Sequence, residues 1–214
     1  MSRPRARGRS PIGTSSSQLL EPASPLLLWL AAVVATPGLT GIRHPGEARR
    51  ALLDDSLRGL AIVSRFAGPI VDVGSGGGAP GIPLAYALPE REVTLLEAER
   101  KKCEFLEQWV PPNARVVWGR AEEQATDWAG VAVAKALARP PTAAEWCLPL
   151  VREGGAVVLW VGPSADLAHV AAVAQRIAGR LEPGPEGFLV IRKVGPTPPG
   201  FPRRVGVAKK RPLA

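Results

Sequence analysis

The chain has 214 residues, 46% of them hydrophobic, and a formal net charge of +8, which suits one full core with short appendages. Residues 1–50 hold 7 basic and 2 acidic side chains, residues 195–214 hold 5 basic and no acidic ones, and residues 51–194 hold 15 basic and 17 acidic. The two cysteines, Cys103 and Cys147, and the two histidines, His44 and His169, form no pair or ligand cluster. That speaks against a zinc knuckle, a redox pair, a histidine-based hydrolase or metal catalysis.

Residues 1–18, rich in Arg, Ser, Pro and Gly, lack apolar periodicity and are expected to be a disordered basic arm. Basic ends flanking a near-neutral middle suit a polyanion, because each Lys or Arg laid on a phosphate releases condensed counterions. Merely solvated charge is the plainer alternative. The run Pro25 to Ala35 follows a basic start, as an export signal does, but it is shorter than the roughly 20 apolar residues that span a bilayer. Glu21 and a serine cluster also separate it from the basic stretch. It is read as a packed helix over 25–35, stopped by Thr36-Pro37-Gly38. A second helix is expected over 46–66, with Leu53, Leu57 and Leu60 on one face. Residues 19–66 thus form an N-terminal helical cap, with no membrane association expected.

From Pro69 onward short apolar runs alternate with longer amphipathic stretches, the pattern of a parallel sheet with crossover helices. Strands are expected at 69–73, 92–97, 115–119, 130–134, 155–161 and 187–192. Helices are expected at 81–88, 99–110, 141–151 and 164–179, with Gly154-Gly155 ending the third. This is an α/β, doubly wound domain over 67–194. The basic tail 195–214, with Pro196, Pro198, Pro199, Pro202 and Pro212, is expected to be mostly irregular or extended.

The segment from Ile70 to Gly81 carries the strongest chemical signal. An apolar strand holding Asp72 runs into Gly74, Gly76, Gly77 and Gly78 and opens a helix. Glycines permit the sharp reversal and let a ligand lie against bare backbone, and the amides of the helix start favour electron-rich groups. Gly76, Gly78 and Gly81 also satisfy the spacing of a dinucleotide turn. An acid at Asp72 suits a cation and repels pyrophosphate, which favours S-adenosylmethionine over a nicotinamide dinucleotide. The second strand ends on Glu97, 19 residues after Gly78, where nucleotide-binding folds place the acid that accepts ribose hydroxyl hydrogen bonds. Of six tryptophans, Trp160 is the one placed near a strand end where it would hold a splayed base. The others are assigned to the core.

These residues resemble the bacterial glucose-inhibited division protein B family, the 16S ribosomal RNA guanine-N7 methyltransferases. The likeness spans roughly residues 36 to 214. It rests on Leu39-Thr40-Gly41-Ile42-Arg43, Leu53-Asp54-Asp55-Ser56-Leu57, the Asp72 to Leu84 block, Leu95-Leu96-Glu97, Lys101-Lys102 with Phe105-Leu106, Gly119-Arg120-Ala121-Glu122-Glu123, and Phe201-Pro202-Arg203-Arg204 with Lys209-Lys210. The resemblance implies the Rossmann-like doubly wound sheet of class I S-adenosylmethionine-dependent methyltransferases. It also implies that Gly74 and Ala79 line the cofactor, that Ala121 and Glu122 contact its adenosine portion, and that Lys135 lies at the site where the family usually carries Arg. Gly38, Leu52 and Val161 stand where Asn, His and Lys are usual. A methyltransferase for another RNA, a small molecule or a protein, and a non-catalytic RNA-binding relative, remain as alternatives.

The expected protein is then a cytoplasmic, monomeric enzyme that methylates 16S ribosomal RNA, free or in the small subunit. Arg203, Arg204, Lys209, Lys210 and Arg211 of the tail are expected to grip phosphates flanking the target, so that truncation of the tail would weaken RNA binding and spare the cofactor. Guanine N7 already offers a lone pair, which accounts for the missing general base.

Overall fold

Side chains along β1 (Ile70–Val73) alternate between two cores, because successive strand residues point to opposite faces. Ile70 joins the core shared with the N-terminal helices, while Val71 and Val73 join the core on the other face. Asp72 therefore lies on the Ile70 face, within an apolar layer. The computed structural model describes residues 24–213; the arm expected at 1–18 and the first residues of the cap lie outside them.

The sheet has seven strands in the order β3-β2-β1-β4-β5-β7-β6. They are β1, β2 (Val93–Glu97), β3 (Ala114–Trp118), β4 (Ala129–Lys135), β5 (Val151–Trp160), β6 (Gly179–Glu182) and β7 (Phe188–Lys193). β1 to β5 pair in parallel, and β7 runs antiparallel between β5 and β6. Helix α1 (Pro25–Ala35) buries Leu26, Trp29, Leu30 and Val33 in the first core. The signal-like run is thus core, and no described helix is long and apolar enough to cross a membrane.

The second cap helix, expected over 46–66, is one uninterrupted helical run from Pro45 to Val63 that changes pitch along its length. It comprises α2 (Pro45–Ala48), a π-helical stretch Arg49–Asp54, α3 (Asp55–Arg58) and α4 (Leu60–Val63). Gly59, still in the right-handed region, makes room for the Trp160 ring, since a Cβ there would lie 2.2 Å from Trp160 Cζ2. Leu53 is fully buried, and Leu57 and Leu60 pack half-buried against the same core. Helices α5 (Gly81–Ala87) and α6 (Arg100–Leu106) lie on this side, and α7 (Pro140–Cys147) and α8 (Leu167–Arg176) cover the other core.

The expected strands and helices fall where they were placed, with two corrections. Gly154-Gly155 does not end a helix; α7 stops at Cys147, a 3₁₀ turn follows at Leu148–Leu150, and both glycines lie inside β5. Gly155 is needed there because a Cβ would sit 2.4 Å from the Gly130 carbonyl oxygen. The short edge strand β6 was not expected; its Arg180 and Glu182 give it no apolar alternation. The tail carries one short helix, α9 (Val207–Lys210), in otherwise irregular chain.

Candidate functional site

The carboxyl ends of β1, β2, β3 and β4 open onto one cavity of about 500 Å³. Gly74 to Gly77 and Ala79 follow β1, Glu97 ends β2, Ala121 and Glu122 follow β3, and Lys135 ends β4; all line the cavity. Trp29, Leu39 and Leu52 of the cap and Trp146 of α7 close its sides. The crevice beyond the strand ends, where strand order reverses between β1 and β4, is the usual ligand position in open α/β sheets.

Glu97 shapes the turn that it faces. Its Oε2 accepts from the Gly76 amide at 2.8 Å and its Oε1 accepts from the Glu99 amide at 2.8 Å, so the carboxylate is held rigidly at the rim. Each oxygen keeps a further lone pair for a ligand hydroxyl. Gly74 and Gly76 adopt φ values of +70° and +55°, and a Cβ on Gly74 would lie 2.3 Å from Leu137 Cδ1. Bare backbone is therefore a steric requirement here.

Asp72 and Gly78 do not line the cavity, which corrects the direct ligand contacts expected of them. Asp72 is fully buried behind the turn, where its Oδ2 accepts from the Gly81 amide at 3.0 Å. The bond ties β1 to the first residue of α5 and occupies a helix-start amide that a pyrophosphate would need. Burial, only partly opposed by the Gly81 hydrogen bond, pushes the Asp72 pKa up to about 7. Its Oδ1 has no partner within the described residues. Gly78 (φ +105°) gives room to Ile82 and Trp29, whose atoms a Cβ would meet at 2.5 and 3.0 Å. Trp29 Nε1 donates to the Gly77 carbonyl at 2.8 Å, fastening the cap to the turn.

Lys135 Nζ pairs with Asp55 Oδ2 at 2.7 Å and also donates to the Ala51 carbonyl. Leu52 lies in the intervening stretch and lines the cavity, whereas Gly38 and Val161 do not. Trp160 is not a base platform. It is 9% exposed, its Nε1 donates to the Asp55 carbonyl at 2.9 Å, and its ring packs edge-on against Phe188 at 5.1 Å. The exposed tryptophan is Trp118, at 62%, set between the cavity-lining Ala98 and Gly119 with Arg100 5.4 Å above its ring. It was expected in the core, although its place as the last residue of an edge strand was a usable signal.

The tail also departs from expectation. Arg203 makes a bidentate pair with the buried Glu145 at 2.6 and 2.7 Å and is spent on it, while Arg204, Lys209, Lys210 and Arg211 are exposed. Cys103 and Cys147 are free and buried, and burial pushes the Cys147 thiol far up, which leaves it inert as a nucleophile. Among the described residues no His, Cys, Asp and Glu cluster could hold a metal.

The strand order, with one antiparallel strand inserted beside β5, and the glycine turn paired with an acid closing β2 define a class I S-adenosylmethionine-dependent methyltransferase fold. A solved S-adenosylmethionine-dependent O-methyltransferase from Thermotoga maritima shares that fold with a TM-score of 0.53 at 15% identity, covering 74% of this chain and 72% of its own. A TehB-like S-adenosylmethionine-dependent methyltransferase from Corynebacterium glutamicum gives 0.51 at 20% identity, over 64% of this chain and 86% of its own. The ribosomal RNA small subunit methyltransferase G of Symbiobacterium thermophilum is 36% identical over 202 residues, 82% of each chain. That of Pelotomaculum thermopropionicum is 37% identical over 197 residues, again 82% of each. The model of the GidB family, described as rRNA small subunit methyltransferase G, matches residues 23–176, and the chain belongs to that family.

Proposed function

We propose that this protein transfers a methyl group from S-adenosylmethionine to N7 of a guanine in 16S ribosomal RNA. It would act in the cytoplasm as a monomer, on the free RNA or on the small subunit. The observation that carries the reading is the Glu97 carboxylate, hydrogen-bonded to the Gly76 amide at the rim of the cavity, in a chain of this family. A bare-backbone turn beside a fixed acid suits a nucleoside with a ribose diol and a cationic tail. Glu97 would accept from the ribose hydroxyls, Gly74 to Gly77 would lie along the methionine portion, and Ala121 and Glu122 would border the adenine. When bound, the cofactor supplies an electrophilic methyl carbon on a sulfonium.

The protein's own part is alignment. N7 attacks with its lone pair, so no residue has to remove a proton, and rate comes from holding the base in line and tolerating the migrating charge. Lys135 and Asp55 hold the cap against the end of β4, which fixes the wall at Leu52 that an incoming base would meet. The acceptor has to be unstacked to reach a site at the sheet edge. Labelled S-adenosylmethionine incubated with separated ribosomal RNAs should mark the small-subunit RNA at one guanine that becomes sensitive to N7-specific cleavage. Label at a base nitrogen other than N7, or on a small molecule alone, overturns the reading.

A further inference from the structure

The chain after β7 is fastened along its length: the Val194 amide donates to the Ala178 carbonyl at 2.8 Å, the Leu213 carbonyl accepts from Arg176 Nη1 at 3.2 Å, and three further contacts lie between them. Thr197 donates from its Oγ1 to Asp127 Oδ1 at 2.8 Å, beside the buried Lys193. Arg203 grips Glu145 through two bonds. The Gly206 amide donates to Glu122 Oε1 at 3.1 Å. The last two fastenings converge on one wall of the cavity, since Glu122 lines it and Glu145 directly precedes the lining residue Trp146. Immediately around them stand Arg204, Lys209, Lys210 and Arg211, all exposed, with side chains in no ion pair or hydrogen bond among the described residues.

We propose that this C-terminal strap couples RNA to cofactor: phosphates held by Arg204, Lys209, Lys210 and Arg211 tighten the cofactor wall through the Gly206–Glu122 and Arg203–Glu145 contacts. This rests on the functional reading above and goes beyond it by making Arg203 and Gly206 positioning residues. Gly206 sits in the left-handed region at φ +77°, and the buried Ala208 seats the short helix that follows. Lys209 and Lys210 on that helix are therefore within about one turn of the Gly206 amide that binds the Glu122 carboxylate. RNA that immobilises the strap removes part of the ordering cost of a bound nucleoside, and the effect is reciprocal, so the nucleoside raises RNA affinity by the same factor.

Calorimetry with S-adenosylhomocysteine, with and without saturating small-subunit ribosomal RNA, tests this on the full chain. In the wild type the RNA lowers the nucleoside Kd by about 5-fold or more, the lower end of common coupling. The quadruple variant with Arg204, Lys209, Lys210 and Arg211 changed to Ser binds the nucleoside alone as the wild type does and shows no tightening. Arg203→Lys keeps the charge and loses the planar fork. It still binds RNA, but its Kd for the nucleoside rises about 3-fold and RNA no longer restores it. An RNA-independent Kd in the wild type, or full tightening in either variant, overturns the coupling. A wild type that binds no S-adenosylhomocysteine at all overturns the functional reading beneath it, a result distinguishable from the others. The quadruple variant alters only exposed side chains, so the test stands even where Arg203→Lys is poorly folded.

Discussion

Lys135 and Asp55 form an ion pair of 2.7 Å that joins the end of β4 to the helical cap at the cavity wall. Their side chains are 16% and 28% exposed, so the pair is worth more than a surface contact and less than a fully buried one. Lys135→Met leaves Asp55 with Arg58, at 3.0 Å, as its remaining cation and cuts the tie between β4 and the cap, so it should cost about 1 kcal/mol of stability, with methyl transfer falling about 10-fold as the cap loosens. Lys135→Arg, which restores the residue usual in the family, should keep transfer within about 3-fold of the wild type, because a guanidinium can reach both Asp55 and the Ala51 carbonyl. Denaturant melts and initial rates with labelled cofactor check both outcomes.

Gly74→Ala separates the turn from its neighbours. The new methyl meets Leu137 Cδ1 at 2.3 Å, and the residue must hold φ +70°, a conformation costing about 1–2 kcal/mol for a residue with a Cβ. Leu137 also lines the cavity, so cofactor affinity should fall by about 10-fold or more, in line with the strain and the displaced wall. A titration with S-adenosylhomocysteine measures it; unchanged affinity would mean that the turn does not contact the ligand.

The strand and turn from Ile70 to Gly81 and the acid at Glu97 were legible because each is a local pattern: an apolar run, a glycine cluster, a carboxylate closing the next strand. Asp72 was placed near the right turn but in the wrong role, since spacing cannot say that its carboxylate points back into the layer beneath α5. Trp160 shows the same limit. Its strand-end position was readable, whereas the notch that Gly59 opens for it lies about a hundred residues away in the chain. The tail read as irregular from its prolines, and Arg203 read as a free cation. What fixes both is a partner, Glu145, 58 residues earlier, and no local periodicity records such a contact.

Asp72 makes stability pH-dependent in an unusual direction. Its folded pKa of about 7 lies above the ordinary value of 3.8, chiefly through burial. Between those values the folded chain binds the proton more tightly than the unfolded chain does. The favourable contribution is therefore complete below about pH 4 and lost as pH rises through about 7. Asp72→Asn keeps an acceptor for the Gly81 amide and cannot ionise. Relative to the wild type it should gain stability on going from pH 5 to pH 8, by a few kcal/mol at most. Urea midpoints at the two pH values give the difference; parallel shifts in both proteins would remove Asp72 as the cause.

Trp29→Phe tests the link between cap and turn. The indole N–H donates to the Gly77 carbonyl at 2.8 Å, and the ring is fully buried. Phenylalanine loses the bond and part of the ring volume, so about 2 kcal/mol of stability should go. Because Gly77 lines the cavity, weaker S-adenosylhomocysteine binding should accompany the loss, while a variant that loses stability alone would make Trp29 a packing residue only.

Among the residues lining the cavity, the titratable ones are Glu97, Lys102, Arg120, Glu122 and Lys135; neither histidine nor cysteine is among them. Attack by a lone pair that guanine N7 already carries releases no proton to a base before the methyl moves. Single-turnover methyl transfer in the preformed complex should therefore vary less than about 3-fold between pH 6.5 and 8.5. Asp72 titrates inside this range, but it lies outside the lining and acts on the turn, so its effect should enter through cofactor affinity and vanish once the complex is saturated. A steep rise of the saturated rate through one ionisation would require a proton acceptor at the reacting base, and an acceptor atom other than N7.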